Sequence, residues 1–442
     1  MKPLARIRTS GALWLTPLCL AITLLYFFKS LHSDPGYTEL LDGPEWAPSL
    51  IARALDPYYA FAYAVAAALG AWEAGRLKKD QVWALAPSRS RYRVAAESLL
   101  PGIVMAWSML LLPVVMALVE AGAWLTFNSL PLVGMGLFLV CAHTVIGFTA
   151  GLWVHRVISA PLLAAGVLYL VGWSASDGER LWPQHISGQY TGGLMFGELI
   201  PFTSLWPHLL FTGSVAAACS LAWAPLPTVR ARITLRAGAC AAVLVSMAVC
   251  ISHVHSWGAV SPLATNKAPL DCVSGHPRVC VPQAAHADVP ALQREIIRTF
   301  TALQDAGVTV HLPQSVNDSL AAGRPLPPSA DRTWWLPLTK VAHLETVRLQ
   351  IVLRAVTFPC RRTDEVNSRS ATLWAATTAG AGQRYLAWQQ QELDQFQNRD
   401  EVLAVMKRRV SEAAKLLKDQ QAAWYERELT KACTNAGKDI RP

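Results

Sequence analysis

The chain has 442 residues, 52% hydrophobic and only 16% charged, too apolar a balance for a water-soluble enzyme of this length. Its net charge of +9 divides into 16 Lys/Arg against 12 Asp/Glu over residues 1–257, and 23 against 18 over residues 258–442, with interleaved signs. That spread, without zinc-finger spacing, aromatic and basic stacking or a long like-charge run, argues against nucleic acid as a partner.

Uncharged runs of about 18 residues or more recur up to Trp257, after which the chain becomes mixed and charged. Two domains follow: residues 1–257 as a polytopic membrane domain, and residues 258–442. The expected spans are Gly11 to Phe28, Leu55 to Ala74, Ser98 to Val119, Leu130 to Trp153, Val157 to Ser174, Trp206 to Ala224 and Ala237 to Trp257. The expected fold is therefore a bundle of six to seven transmembrane helices, followed by a small α/β or α+β domain. Lys29-Ser30-Leu31-His32 follows the first run in place of a small-residue cleavage site, which reads as an uncleaved anchor.

Positive charge orients the spans. With the N-terminus inside, 13 Lys/Arg of the membrane domain fall on the inner face, six of them in the 76–93 loop. Only Lys29, Arg53 and Arg180 fall opposite. Seven crossings then carry residues 258–442 outside the cytoplasm.

Few ionisable residues lie at membrane depth. Asp56 and Glu120 sit at span edges, where water reaches them, and His143, His208, His253 and His255 read as interhelical hydrogen-bonding groups. His253 and His255, two residues apart, point to different helix faces and make a poor metal pair. The Gly147 and Gly151 pair in "GFTAG" suits close helix packing, within one chain or between two. The Gly-rich loop from Ala175 to Leu205 reads equally as a segment re-entering the outer leaflet and as an interfacial loop.

In the tail, "SPLATNKAPLDC" reads as a linker, "RVCVP" and "VTVHLP" as strands, and residues 288–307 between them as a helix with Val289, Leu292, Ile296, Phe300 and Leu303 inward. Glu392 to Lys431 reads as largely helical, with Leu393, Phe396, Leu403, Leu416 and Leu417 in the core. Five of the nine cysteines lie within spans. The other four, an even number in a domain expected outside, suggest two disulfides, most simply Cys272 with Cys280 and Cys360 with Cys433. No catalytic constellation is visible: H-E-x-x-H and G-x-S-x-G are absent, and no metal or cofactor is implied.

The loop "AWEAGRLKKDQVWALAPSRSRYRVAAE" holds the densest positive charge of the apolar half. Its order, Glu73 at a helix end, then Leu85, Pro87, Ser88, Arg89, Arg91 and Arg93, resembles the segment after the second span of ABC-2 type transporter permeases; Trp83, in the apolar Val82 to Leu85 stretch, falls within the same segment. The resemblance covers about residues 1–255 and implies a coupling segment that docks on a separate ATP-binding subunit, with two permease halves forming a homo- or heterodimer. The chain has no G-x-x-x-x-G-K-[ST] loop to cradle ATP phosphates, so hydrolysis would come from another polypeptide. The family commonly has six spans, and a seventh followed by an external domain departs from it. That layout, with "DCVSGHPRVCVPQ", looks like membrane proteins of actinobacterial antibiotic-export or immunity loci. An alternative from another class is a membrane-anchored binding or sensor protein whose spans only display the tail.

Overall fold

The computed structural model describes residues 10–85, 90–176, 180–324, 329–330, 332–339, 344–360, 362–393 and 399–434. They divide into two compact units, Met1–Lys267 and Ala268–Pro442.

The first unit is helical. Helix α1 (Gly11–Tyr26) is capped by the Ser10 hydroxyl, which accepts from the Ala12 amide, and closes in a π-helical turn over Phe27–Leu31. Two short helices follow, α2 (Pro35–Asp42) and α3 (Ala47–Leu55), then α4 (Tyr59–Lys79), a four-residue turn of helix α5 (Val82–Leu85) and α6 (Arg91–Glu120). Helices α7 (Leu130–Trp153), α8 (Arg156–Ser176), α9 (Phe202–Ala222) and α10 (Val229–Val254) complete the bundle. Six stretches are long and apolar enough to cross a membrane: Gly11–Leu31, Arg91–Glu120, Phe127–Trp153, Arg156–Ser176, Phe202–Ala222 and Val229–Val254.

The expected second span is not among these six. Its helix, α4, begins after Pro57 and runs to Lys79, so it carries Glu73, Arg76, Lys78 and Lys79. It packs against α6, α7 and α8. A helix enclosed by protein need not be apolar enough to face lipid, which is why composition alone is a poor guide to it.

Small residues make that enclosure possible. A side chain at Gly147 would overlap the Ala67 carbonyl, at Gly151 the Ala71 carbonyl, and at Gly70 the Thr144 carbonyl. The "GFTAG" pair therefore seats α7 on α4 within one chain, resolving the choice that spacing left open. Residues 258–267 also belong to this unit, where Leu199 and Ala264 pair their backbones and Ser204 Oγ donates to the Pro262 carbonyl.

The second unit is a mixed four-stranded sheet with helices. Strands β1 (Leu270–Val273) and β2 (Arg278–Pro282) form an antiparallel hairpin, and β3 (Ser315–Asp318) and β4 (Thr333–Leu336) add in parallel, in the order β1-β2-β3-β4. Helix α11 (Val289–Asp305), capped by Asp288, makes the β2 to β3 crossover. It buries Val289, Leu292, Ile296, Phe300 and Leu303 as the apolar spacing predicts. Helices α12 (Leu344–Ala355), α13 (Glu365–Thr378), α14 (Gly382–Glu392), α15 (Arg399–Ala413) and α16 (Lys418–Thr434) complete the unit.

Three expectations for this unit need correction. "VTVHLP" is not a strand: the Val308 amide donates to Leu303 and the Val310 carbonyl accepts from Gln304, so both turn to the end of α11. The strand forms further on, at Ser315–Asp318. Leu416 and Leu417 are exposed at the turn between α15 and α16, not buried, whereas Leu393 and Leu403 are core residues. Phe396 lies outside the described residues. The end of the expected linker, "LDC", is instead the start of the edge strand β1.

Candidate functional site

Contacts between helix ends gather the loop's residues at one end of the bundle. Glu73, buried within α4, accepts from the Gly11 amide at 2.9 Å and from Ser10 Oγ at 3.3 Å, and its second oxygen pairs with Arg76 at 2.7 Å. It thus satisfies a free amide at the start of α1 and places a negative charge there, where the helix dipole favours it. One residue earlier, Trp72 lies under the Arg156 guanidinium, 4.8 Å from ring centre to Cζ. Lys78 Nζ donates to the Leu152 carbonyl at the end of α7, and Arg236 Nε to the Ala222 carbonyl at the end of α9. Cations at helix C-termini use the opposite pole of the same dipole.

Trp83, on α5, is half-buried. Its ring stands 6.5 Å from Trp223, just past α9, and Trp223 in turn meets Tyr92 of α6 at 4.6 Å and Phe148 of α7 at 5.5 Å. Tyr92 completes the cluster by donating to the Ser220 carbonyl at 3.0 Å. Arg91 and Arg93 are exposed at the start of α6, and Arg93 Nε reaches Glu97 at 3.2 Å. The Leu85 side chain, Pro87 and Arg89 lie outside the described residues. The motif therefore divides by role: Glu73 fastens α1, Trp83 packs inward beside Trp223, which meets α6 and α7, and Arg91 and Arg93 face outward.

A second locus lies in the loop that the sequence leaves open between re-entry and the interface. Segment 182–201 is largely buried, and its hydrogen bonds go to the surrounding helices and to residues 258–264. Tyr63 of α4 stacks on His143 of α7, 4.7 Å apart and nearly parallel, and donates to the Gly188 carbonyl at 2.7 Å. The Gly188 amide donates to His208 Nδ1 of α9 at 3.0 Å, while Gln189 donates to the Val171 carbonyl and to Ser174 Oγ of α8. Gly188 has φ +94°, and any Cβ there would press on Leu139, so glycine is required. Non-helical backbone among spans is tolerated when protein supplies its hydrogen bonds, and α4, α8 and α9 bond this segment while His143 of α7 stacks on the Tyr63 ring. The run of glycines at 188, 192, 193 and 197 was the available signal.

In the second unit, Cys272 is joined to Cys280 across the hairpin, and Cys360 to Cys433 over a separation of 73 residues. Asp318 is buried. Burial pushes its carboxyl above the usual range, against hydrogen bonds from Thr339 Oγ1 and the Leu320, Thr339 and Leu338 amides that favour the charged form. These bonds tie β3 to the chain after β4. Of the tail histidines, His276, His286 and His311 are exposed, and His343 lies outside the described residues. Among the described residues no three His, Cys, Asp or Glu side chains are grouped to hold a metal ion.

No family model matches the chain, and no curated protein or solved structure matches it.

Proposed function

We propose that the chain is the permease subunit of an ABC-2 type exporter, driven by a separate ATP-binding polypeptide that docks at α5 and the start of α6. The observation that carries the reading is the union of exposed Arg91 and Arg93 with the inward-packed Trp83. A load applied at this surface meets, through Trp83, Trp223 and Tyr92, the ends of α6, α7 and α9 together. Two such permease halves would form the path. The basic end of the bundle faces the cytoplasm in this reading, and an odd number of crossings, with α4 as the seventh, puts the disulfide-bearing unit outside, where oxidation is favoured.

A second reading, a membrane-anchored binding or sensor protein, draws support from the buried 182–201 segment, which fills space between α4, α7, α8 and α9. Purification of the chain from its native membrane separates the two. An ATPase that co-purifies, and is lost on Arg91→Glu with Arg93→Glu, supports the transporter. A stable complex without an ATPase leaves the anchored protein. Orientation is tested independently: a membrane-impermeant thiol reagent applied to intact cells should label exposed Cys272 only after reduction.

A further inference from the structure

The bundle has a long apolar trough on its outward surface along α6, partly walled by α1. Two adjoining hollows of about 330 and 390 Å³ share Val104 and Ser108 as a common wall. Ala12 and Thr16 close one side, and the trough runs along α6 from Leu100 to Val115. At 1.5 Å per residue that is about 22 Å, more than the ~15 Å half-thickness of a bilayer core. The floor presents no unpaired hydroxyl, because Thr16 Oγ1 donates to the Ala12 carbonyl at 2.8 Å and Ser108 Oγ to the Met105 carbonyl at 2.6 Å. Leu100, Val104 and Val115 remain more than half exposed.

Helical spacing continues this stripe to a charge. Stepping back from Val104 by four, three and four residues gives Leu100, Glu97 and Arg93, all on the same face of α6. The Arg93 side chain is 73% exposed, held to the stripe by the Glu97 carboxylate. Arg91, two residues away, is turned by about 200° to a different face.

We propose that this trough binds one anionic phospholipid from the leaflet at the basic end of the bundle, an acyl chain lying along Leu100 to Val115 and the phosphate resting on Arg93. An apolar channel ending in an exposed guanidinium matches a molecule with an apolar tail and an anionic head. A helix of a second copy would cover the leucine and valines but bring no anion to Arg93. The inference rests on the bundle being embedded in a membrane; it shares Arg93 with the proposed docking surface, so lipid retention is read on the chain without an ATPase, where Arg91 serves as the control.

Native mass spectrometry of the full chain, released from detergent after incubation with phosphatidylglycerol or phosphatidylcholine, tests it. Phosphatidylglycerol should be retained in preference. Arg93→Glu should reduce that retention at least about fivefold, Ser108→Trp should reduce retention of both lipids, and Arg91→Glu should leave it unchanged. Should Ser108→Trp lower the melting temperature in detergent, the contrast between Arg93→Gln and Arg91→Gln still decides. Equal retention of the two lipids by the wild type, equal loss in the Arg91 and Arg93 variants, or a disulfide-linked dimer formed through Val104→Cys would overturn the proposal. An ATPase that fails to co-purify would leave these results untouched.

Discussion

The two units solve burial in opposite ways. In the second unit the large apolar side chains go inward, as Val279, Ile296, Phe300 and Leu349 do; among the described residues only Leu270, Ile297, Leu344, Leu416 and Leu417 of that class stay exposed. In the first, Leu13, Trp14, Leu162, Tyr169, Trp173 and Leu244 are among many such side chains turned outward, while Ala67 and Ala71, with Gly70, Gly147 and Gly151, fill the contact of α4 with α7. Water sorts residues by apolarity in the one. In the other, lipid is as apolar as the interior, so packing is decided by size and by buried hydrogen bonds.

If this contrast is right, perturbations should act by different routes in the two units. Loss of the Cys360–Cys433 bond closes no loop of 73 residues in the unfolded chain and should cost about 4 kcal/mol, against about 2.5 kcal/mol for Cys272–Cys280 with its separation of 8. Denaturant unfolding of Cys360→Ser and Cys272→Ser variants measures the difference. Next in size, Ile296→Ala in the second unit should cost about 3 kcal/mol. Leu162→Ala on the outward face of α8 removes comparable apolar bulk and should cost less than about 0.5 kcal/mol in a bilayer. Similar losses at both positions would break the comparison.

The smallest effect concerns pH. His32, just beyond the first span, bonds the Phe27 carbonyl and the Glu120 carboxylate, which also accepts from Tyr37. Burial lowers the His32 imidazole, but those two acceptors overcome it and hold it above its ordinary value. A folded value raised over the unfolded one stabilises fully below about pH 6.5 and is lost as pH rises through the raised value. Because His32 is about a third exposed, the term should stay under about 1 kcal/mol. Melting curves of His32→Gln should lack the decline that the wild type shows as pH rises above about 6.5.

Much of this organisation is written in the sequence, and what is missing has identifiable causes. Hydropathy marks α1 and α6 to α10 because they are long and apolar enough to cross a membrane. It misjudges the ends of α4 because the partners of Glu73 and Lys78 lie far away, at Gly11 and Leu152, and no local pattern announces that a carboxylate will meet a helix N-terminus. The same distance hid a contact of Glu73, which, beside its place in the expected coupling segment, caps the start of α1. The 182–201 segment reads equally as re-entrant and as interfacial because Tyr63, His143 and His208, which bury it, are isolated polar residues in three separate apolar runs. In the second unit, α11 was legible from its period. "VTVHLP" was misread because alternating Val308 and Val310 fit a strand equally well when their backbone bonds go to a helix end.

The central claim, that an ATP-binding partner works at the basic end of the bundle, is tested most directly by a photo-crosslinking residue placed at Arg91 in native membranes. A covalent adduct with a nucleotide-binding polypeptide, absent when the same residue is placed at lipid-facing Leu162, is the predicted result. Adducts at Arg91 to lipid alone, in cells that express the chain at its native level, would contradict it.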